Sequence, residues 1–218
     1  MNLQTLFIEM QTHIHNTVKR QPYTLILLFA AVSFIGWCAE QLYFLVRWHD
    51  LCDRGFLTLP FCTIYGFCLS FVYLLLGTPR GGRLRPLFEK TKNLENAGKI
   101  LAQTGLFALY FLAAAFIPTA VEFFVALLFD KGCHAALWDY SYKTLSLLGY
   151  VSLDQTILWG ALITFAMQFL WDPLYSALES IPRRAAKIAA VTTVSVLLAD
   201  FIFNIVWLSV TKAPLILY

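Results

Sequence analysis

Three carboxylates and one guanidinium fall within or beside long apolar stretches of this sequence. The carboxylates are Glu40, Glu122 and Asp200, and Arg54 comes shortly before another apolar stretch. In a membrane span, a charged side chain at the bilayer centre costs roughly 2.5–3.5 kcal/mol on insertion scales. Such residues therefore pair with one another or line a water-filled cavity rather than face lipid. They predict a polar pocket in which Glu40 or Glu122 pairs with Arg54.

The composition is that of an integral membrane protein. Of the 218 residues, 59% are hydrophobic and 13% are charged, whereas soluble domains are about 45–50% apolar and about 25% charged. A net charge of +3 is too small to indicate nucleic-acid binding, so the expected surroundings are a lipid bilayer. The five cysteines include no CxxC pair, and no zinc-ligand spacing is present. The sequence gives no reason to expect a metal or a cofactor.

The apolar stretches predict an all-α bundle of about five transmembrane helices. We expect an amphipathic helix on the cytoplasmic membrane surface over residues 1–21, because its apolar residues recur at spacings of three and four. Residues 22–218 would then form a single transmembrane domain. Its predicted spans, from apolar length, cover about 23–46, 61–77, 100–129, 153–175 and 188–210.

The entry to the second span is irregular in sequence. Arg54-Gly55, Pro60 and Tyr65-Gly66 interrupt the apolar pattern between residues 54 and 67. A membrane tolerates irregular backbone only where protein or trapped water surrounds it. We therefore expect this segment to cap the polar pocket.

The polar intramembrane residues fall at similar depths when each span rises 1.5 Å per residue. Glu40, Glu122, Trp159 and Asn204 lie about 9–10 Å below the outer ends of their spans, and Asp200 lies about 15 Å below. Trp37 shares a helical face with Glu40. Asp139 belongs to an aromatic-rich loop typical of a membrane interface. The predicted ligand-binding residues are Glu40, Arg54, Glu122, Trp159, Asp200, Asn204, Tyr65, Trp37 and Asp139. The alternative is a buried polar network that fixes helix assembly and binds nothing.

Basic residues predict the orientation. Lys19, Arg20, the loop over residues 78–99 and the cluster Arg183, Arg184 and Lys187 hold most of them and would share one side. The positive-inside rule then places the N-terminus in the cytoplasm and the C-terminus outside.

Several segments in order resemble the CmpB-like family of bacterial membrane proteins, described as ABC-transporter type IV. The matching pieces are Gly36-Trp37 with Glu40, Arg54-Gly55-Phe56-Leu57 with Pro60, Ile64-Tyr65-Gly66-Phe67, Glu122, Trp138-Asp139-Tyr140-Ser141, Gly149 with Ser152-Leu153, and Trp159-Gly160. Thr63 stands where the family pattern leads us to expect proline, and the asparagine expected before Gly149 is also missing. The resemblance implies a bacterial cytoplasmic-membrane protein and a role in transport.

The leading hypothesis is a non-ATPase transport subunit or small permease whose outer-leaflet pocket binds a solute or a lipid head group. No Walker A sequence is present, so ATP-driven transport would need a separate ATPase subunit, and five spans favour a homo- or hetero-oligomer. An intramembrane enzyme is the second hypothesis, with Glu40 or Glu122 as general acid or base and Arg54 as phosphate clamp. A structural or regulatory subunit without a ligand is the third. No catalytic residue is assigned.

Overall fold

The computed structural model describes residues 22–51 and 55–215. The predicted amphipathic helix over residues 1–21 lies outside them. In chain order, the helices are α1 (Pro22–Trp48), α2 (Thr63–Leu76), α3 (Arg85–Thr91), α4 (Asn96–Leu128), α5 (Leu153–Phe165), α6 (Trp171–Glu179) and α7 (Arg183–Thr211). A π-helical turn, Phe129–Cys133, extends α4, and another, Ala166–Leu170, joins α5 to α6. A short antiparallel hairpin pairs β1 (Ser146–Leu147) with β2 (Val151–Ser152) before α5.

The all-α membrane fold is confirmed. Among the described residues, four helical runs are long and apolar enough to cross a membrane, namely Pro22–Trp48, Asn96–Cys133, Leu153–Glu179 and Arg183–Thr211. Helix α2, at the second predicted span, has only 14 residues and rises about 21 Å. Because a bilayer core is about 30 Å thick, α2 by itself is too short to cross. The irregular segment over residues 55–62 precedes it.

The core lies where α1, α2, α4 and the α5–α6 run meet. Its buried side chains come from all four: Leu28, Val32, Cys68, Leu69, Val72, Tyr110, Ala114, Trp159, Ile163, Met167 and Trp171. The polar end of Tyr110 is satisfied, since its hydroxyl donates to the carbonyl oxygen of Gly77 at 2.8 Å. The bundle thus buries one apolar seam and leaves large apolar side chains on its outer surface, as a membrane protein requires.

Glycines allow α1 and α2 to approach closely. A Cβ atom on Gly66 would lie 2.6 Å from the carbonyl oxygen of Phe29, and one on Gly36 would lie 2.5 Å from Cγ of Tyr65. Small residues serve this purpose in membrane helix pairs, because association there depends on close van der Waals contact. The absence of a side chain on Gly36 leaves the space that the ring of Tyr65 fills.

Helix α7 packs through one stripe of buried residues. Its buried positions are Ala186, Ala190, Leu197, Asn204 and Leu208, which recur every four or seven residues and so share one face. This stripe faces the bundle, where α7 contacts α1. It places Asp200 and Asn204 beside the irregular segment that precedes α2.

Candidate binding cavity

A cavity of about 380 Å³ opens between the helices. It has two carboxylate residues, Glu40 on α1 and Glu122 on α4, and aromatic residues from several elements. Its other lining residues include Gly55, Phe56, Tyr65, Phe129, Trp138, Tyr140, Gln155, Trp159 and Phe201. The arrangement brings Glu40, Tyr65, Glu122 and Trp159, four of the predicted residues, to one cavity.

Glu122 is the more deeply buried of the two carboxylates, with 4% of its surface exposed. Its Oε1 accepts a hydrogen bond from the hydroxyl of Tyr140 at 3.2 Å, and its Oε2 accepts one from Nε1 of Trp159 at 3.1 Å. Each carboxylate oxygen therefore has a donor. These bonds offset part of the desolvation cost of a buried carboxylate.

Glu40 is half-buried and meets the hydroxyl of Tyr65, which donates to its Oε1 at 2.9 Å. The ring of Tyr65 packs against the ring of Trp159 with centroids 5.0 Å apart. Trp159 in turn donates to Glu122. A continuous chain of contacts, Glu40 to Tyr65 to Trp159 to Glu122, therefore crosses the cavity and couples the positions of its two carboxylates.

The loop between α4 and α5 positions Tyr140 over Glu122. Its backbone N–H donates to the carbonyl oxygen of Gly149 at 2.8 Å, where a positive φ of 74° favours glycine. Next to it, the carboxylate of Asp139 accepts from the backbone N–H of Ser141 at 2.8 Å and from the Ser141 hydroxyl at 2.9 Å. These bonds lower the pKa of Asp139 below its ordinary value, with the backbone N–H as the larger cause. Asp139 thus shapes the loop and does not line the cavity.

Asp200 and Asn204 lie behind the cavity wall. Asp200 accepts hydrogen bonds from the Thr58 hydroxyl and, at 3.0 Å, from the backbone N–H of Leu59. The side-chain amide of Asn204 donates to Oδ1 of Asp200 at 3.1 Å. The pair anchors the irregular segment to α7, and through it positions the lining residues Gly55, Phe56 and Leu57.

Of the two remaining predicted residues, the structure describes only Trp37. Trp37 is half-buried and stacks on Phe34 with centroids 6.4 Å apart, away from the cavity lining. Arg54 lies outside the described residues, so its ion pair with Glu40 or Glu122 stays a prediction. Its sequence neighbour Gly55 lines the cavity.

The sequence did not predict the aromatic wall of the cavity or the hydrogen-bond donor Tyr140. The ring of Phe56 contacts those of Phe129 and Phe201 at centroid distances of 4.8 and 5.5 Å, and all three line the cavity. Apolar aromatics in apolar spans carry no signal that distinguishes a wall from lipid contact. Tyr140 was also missed as a site residue, although it adjoins the predicted Asp139.

Chemically, the cavity combines hydrogen-bond acceptors with aromatic surface. It can bind a molecule that has polar hydrogens at one end and an apolar body at the other. Within residues 22–51 and 55–215, no three His, Cys, Asp or Glu side chains cluster so as to hold a metal ion.

Comparison with known families places the chain. The model of the family described as Putative ABC-transporter type IV matches residues 27–205. The chain belongs to this family. All of the lining residues of the cavity, from Glu40 to Phe201, fall inside the matched range of the type IV family. No curated protein and no solved structure matched the chain significantly.

Proposed function

We propose that this protein is a non-ATPase transport subunit or small permease, and that its cavity binds a solute or a lipid head group. The observation that carries the proposal is the meeting of Glu40 and Glu122, from two different helices, in one aromatic-lined cavity. Membership of a family named for ABC transporters supports a role in transport. The same membership supports a bacterial cytoplasmic membrane as its location.

The binding capacity of Glu122 supports the proposal. An ionised carboxylate offers about four lone-pair sites, and the bonds from Tyr140 and Trp159 occupy one on each oxygen. Acceptor sites therefore remain for hydrogen-bond donors of a ligand. Arg54, next to the lining residue Gly55, would supply the cation for a phosphate or carboxylate group of the ligand.

A separate ATPase chain is the proposed source of energy, because the sequence contains no Walker A motif. We place its docking surface on the basic loop over residues 78–99, which would share the cytoplasmic side with the N-terminus. The C-terminus would then lie outside. Self-association or a second membrane chain would complete a translocation path that few helices can form alone.

The proposal is tested by purifying the full chain from its native membrane and identifying any ATPase that accompanies it by mass spectrometry. We expect ATP hydrolysis by this complex, and we expect Glu122→Gln to lower its solute-stimulated rate at least about tenfold while the ATPase still co-purifies. Asp172→Asn removes a charge from an exposed position outside the cavity and should leave the rate unchanged. Arg85→Gln with Lys90→Gln should weaken co-purification instead.

Two results would contradict separate parts of the proposal. A chain that transports alone in liposomes would exclude an obligate ATPase and leave the small permease. If Glu122→Gln lowers only the amount of folded protein, with the activity per folded molecule unchanged, the cavity is a structural network.

A further inference from the structure

A second cavity lies on the lateral surface of the bundle and shares no residue with the first. It has a volume of about 490 Å³ and forms a groove between α4 and the α5–α6 run. Its walls are mainly phenyl rings and one small residue: Phe107, Phe111, Ala161, Phe165 and Phe169. Both walls belong to helical runs long and apolar enough to cross a membrane, so the groove opens toward acyl chains.

Arg80 supplies a positive charge to the lining of this groove. Arg80 lines it and is exposed, and its Cζ lies 5.3 Å from the centroid of the Phe107 ring. Phe107 is itself held edge-to-face by Phe88 from α3, with centroids 5.3 Å apart. A guanidinium over an aromatic face is favourably placed, so Arg80 presents a fixed positive charge beside the ring of Phe107.

Among the described residues of the groove, two buried polar atoms lack a hydrogen-bond partner. Oγ1 of Thr164 and Oε1 of Gln168 are buried and have no hydrogen-bond partner among the described residues, although both residues line the groove. By contrast, the hydroxyls of Thr119 and Thr156 each donate to the carbonyl oxygen four residues earlier, at 2.8 and 3.0 Å. A buried polar atom without a partner destabilises the fold, so an occupant with hydrogen-bond donors and acceptors would stabilise the groove.

The backbone also departs from α-helical geometry at this point. Gln168 and Phe169 belong to the π-helical turn Ala166–Leu170, and π turns inside α-helical runs are frequent at functional sites.

We propose that this groove binds one anionic phospholipid. Arg80 binds its phosphate through charge-assisted hydrogen bonds, and an acyl chain lies between the phenyl rings. The Thr164 hydroxyl donates to an ester oxygen of the lipid, and Oε1 of Gln168, one helical turn away, accepts from a head-group hydroxyl. The groove thus combines the three features that a phospholipid requires, namely a cation, polar atoms and an apolar wall. The site is independent of the transport proposal.

The test uses the purified full-length chain in mild detergent, with phosphatidylglycerol or phosphatidylcholine of the same acyl chains added and binding read by native mass spectrometry. We expect phosphatidylglycerol to bind at least about tenfold more tightly, because the choline cation of phosphatidylcholine opposes the charge of Arg80 and its head group has no hydroxyl to donate to Gln168. Arg80→Gln should abolish this preference and Arg80→Lys should keep part of it. Arg184→Gln, an exposed arginine outside the groove, should change binding less than about threefold.

A second pair of variants tests the apolar part of the groove. Ala161→Phe fills it and should weaken both lipids at least about fivefold, whereas Ala189→Phe adds the same ring to an exposed position of α7 and should not. Equal binding of the two lipids by the unaltered chain would overturn the proposal, as would equal losses in Arg80→Gln and Arg184→Gln. So would a dimer that Ala161→Phe dissociates, because a second copy would then occupy the groove.

Discussion

The hydrogen bonds of individual carboxylates decide how charge is accommodated in this bundle. Glu122 receives one donor on each oxygen, from Tyr140 and Trp159, while both oxygens of Asp200 receive donors from residues 58 and 59. Both carboxylates lie in apolar stretches of the sequence, but their structural roles differ. Glu122 faces a cavity, and Asp200 fastens a segment of backbone.

Replacing Trp159 removes the indole N–H that donates to Glu122, so one carboxylate oxygen loses its hydrogen bond. We expect Trp159→Phe to lower the free energy of unfolding by about 1–3 kcal/mol, the usual penalty for a buried group that loses its partner. The measurement is denaturation in lipid–detergent micelles. In a Glu122→Leu background the same substitution should cost clearly less, and equal costs in both backgrounds would show that the hydrogen bond contributes nothing.

Asp200 should matter for stability more than its position on α7 suggests. Asp200→Asn keeps the side-chain shape but replaces one acceptor oxygen by a donor, which cannot accept from the Thr58 hydroxyl or the Leu59 N–H. We expect a loss of about 1.5–3 kcal/mol, typical of hydrogen bonds to charged groups, measured by the same denaturation. Ser209→Ala is the control, because the Ser209 hydroxyl is exposed and bonds only within its own helix. A loss no larger than that of Ser209→Ala would contradict the anchoring role.

At the scale of elements, the contact between α1 and α2 fixes the cavity. It brings Tyr65 on α2 against Glu40 on α1, and the N–H of Cys62 donates to the carbonyl oxygen of Ser33 at 3.0 Å. Both contacts depend on the close approach that Gly36 and Gly66 allow. A shift of one helix against the other would therefore change the cavity directly.

Gly66→Ala tests this approach. The added methyl group would meet a backbone oxygen at 2.6 Å, which cannot move aside as a flexible side chain can, so we expect a loss of about 1–3 kcal/mol. Gly105→Ala, inside α4 with nothing within 4 Å of the new atom, should be neutral or stabilise by up to about 1 kcal/mol. Thermal unfolding of the two variants side by side makes the comparison. Equal effects would mean that the helices do not pack through Gly66.

For the whole molecule, the short α2 raises the question of how the chain crosses the membrane. The segment over residues 55–62 is irregular, yet Leu57 and Cys62 are buried at 5% and 4% exposure. Protein therefore covers part of this segment, which favours its placement at membrane depth. Together with α2 it would complete the crossing that α2 alone is too short to make.

A five-span topology follows from this view, and reporter fusions test it. A fusion joined after Glu95 should be fluorescent with a reporter that folds only in the cytoplasm, and one joined after Thr144 should be active with a reporter that works only outside. Tags at the two termini should report the N-terminus in the cytoplasm and the C-terminus outside, because five crossings place the two ends on opposite sides. Matching cytoplasmic signals from both internal fusions would contradict a crossing between them, and termini on the same side would exclude five spans.

The membrane class, the family and the positions of the long apolar helices could all be predicted from the sequence. Apolar length is a local property, so the helices lie where the apolar stretches predict them, with ends shifted by up to five residues. The sequence likewise predicts a similar depth for Glu40, Glu122 and Trp159, because a helix has a fixed rise per residue, and the three residues line one cavity.

Which of these polar residues share a cavity depends on how the helices pack, and the sequence does not show this. Rotation of each helix about its axis depends on packing with its neighbours, such as Tyr65 filling the space over Gly36, and depth alone does not specify it. For this reason Asp200, with Asn204 beside it, accepts hydrogen bonds from the irregular segment, whereas Trp37 packs on Phe34. Tyr140 reaches the cavity from a loop. The lateral groove arises in the same way, since its walls come from separate helical runs whose contact no periodicity in the sequence records.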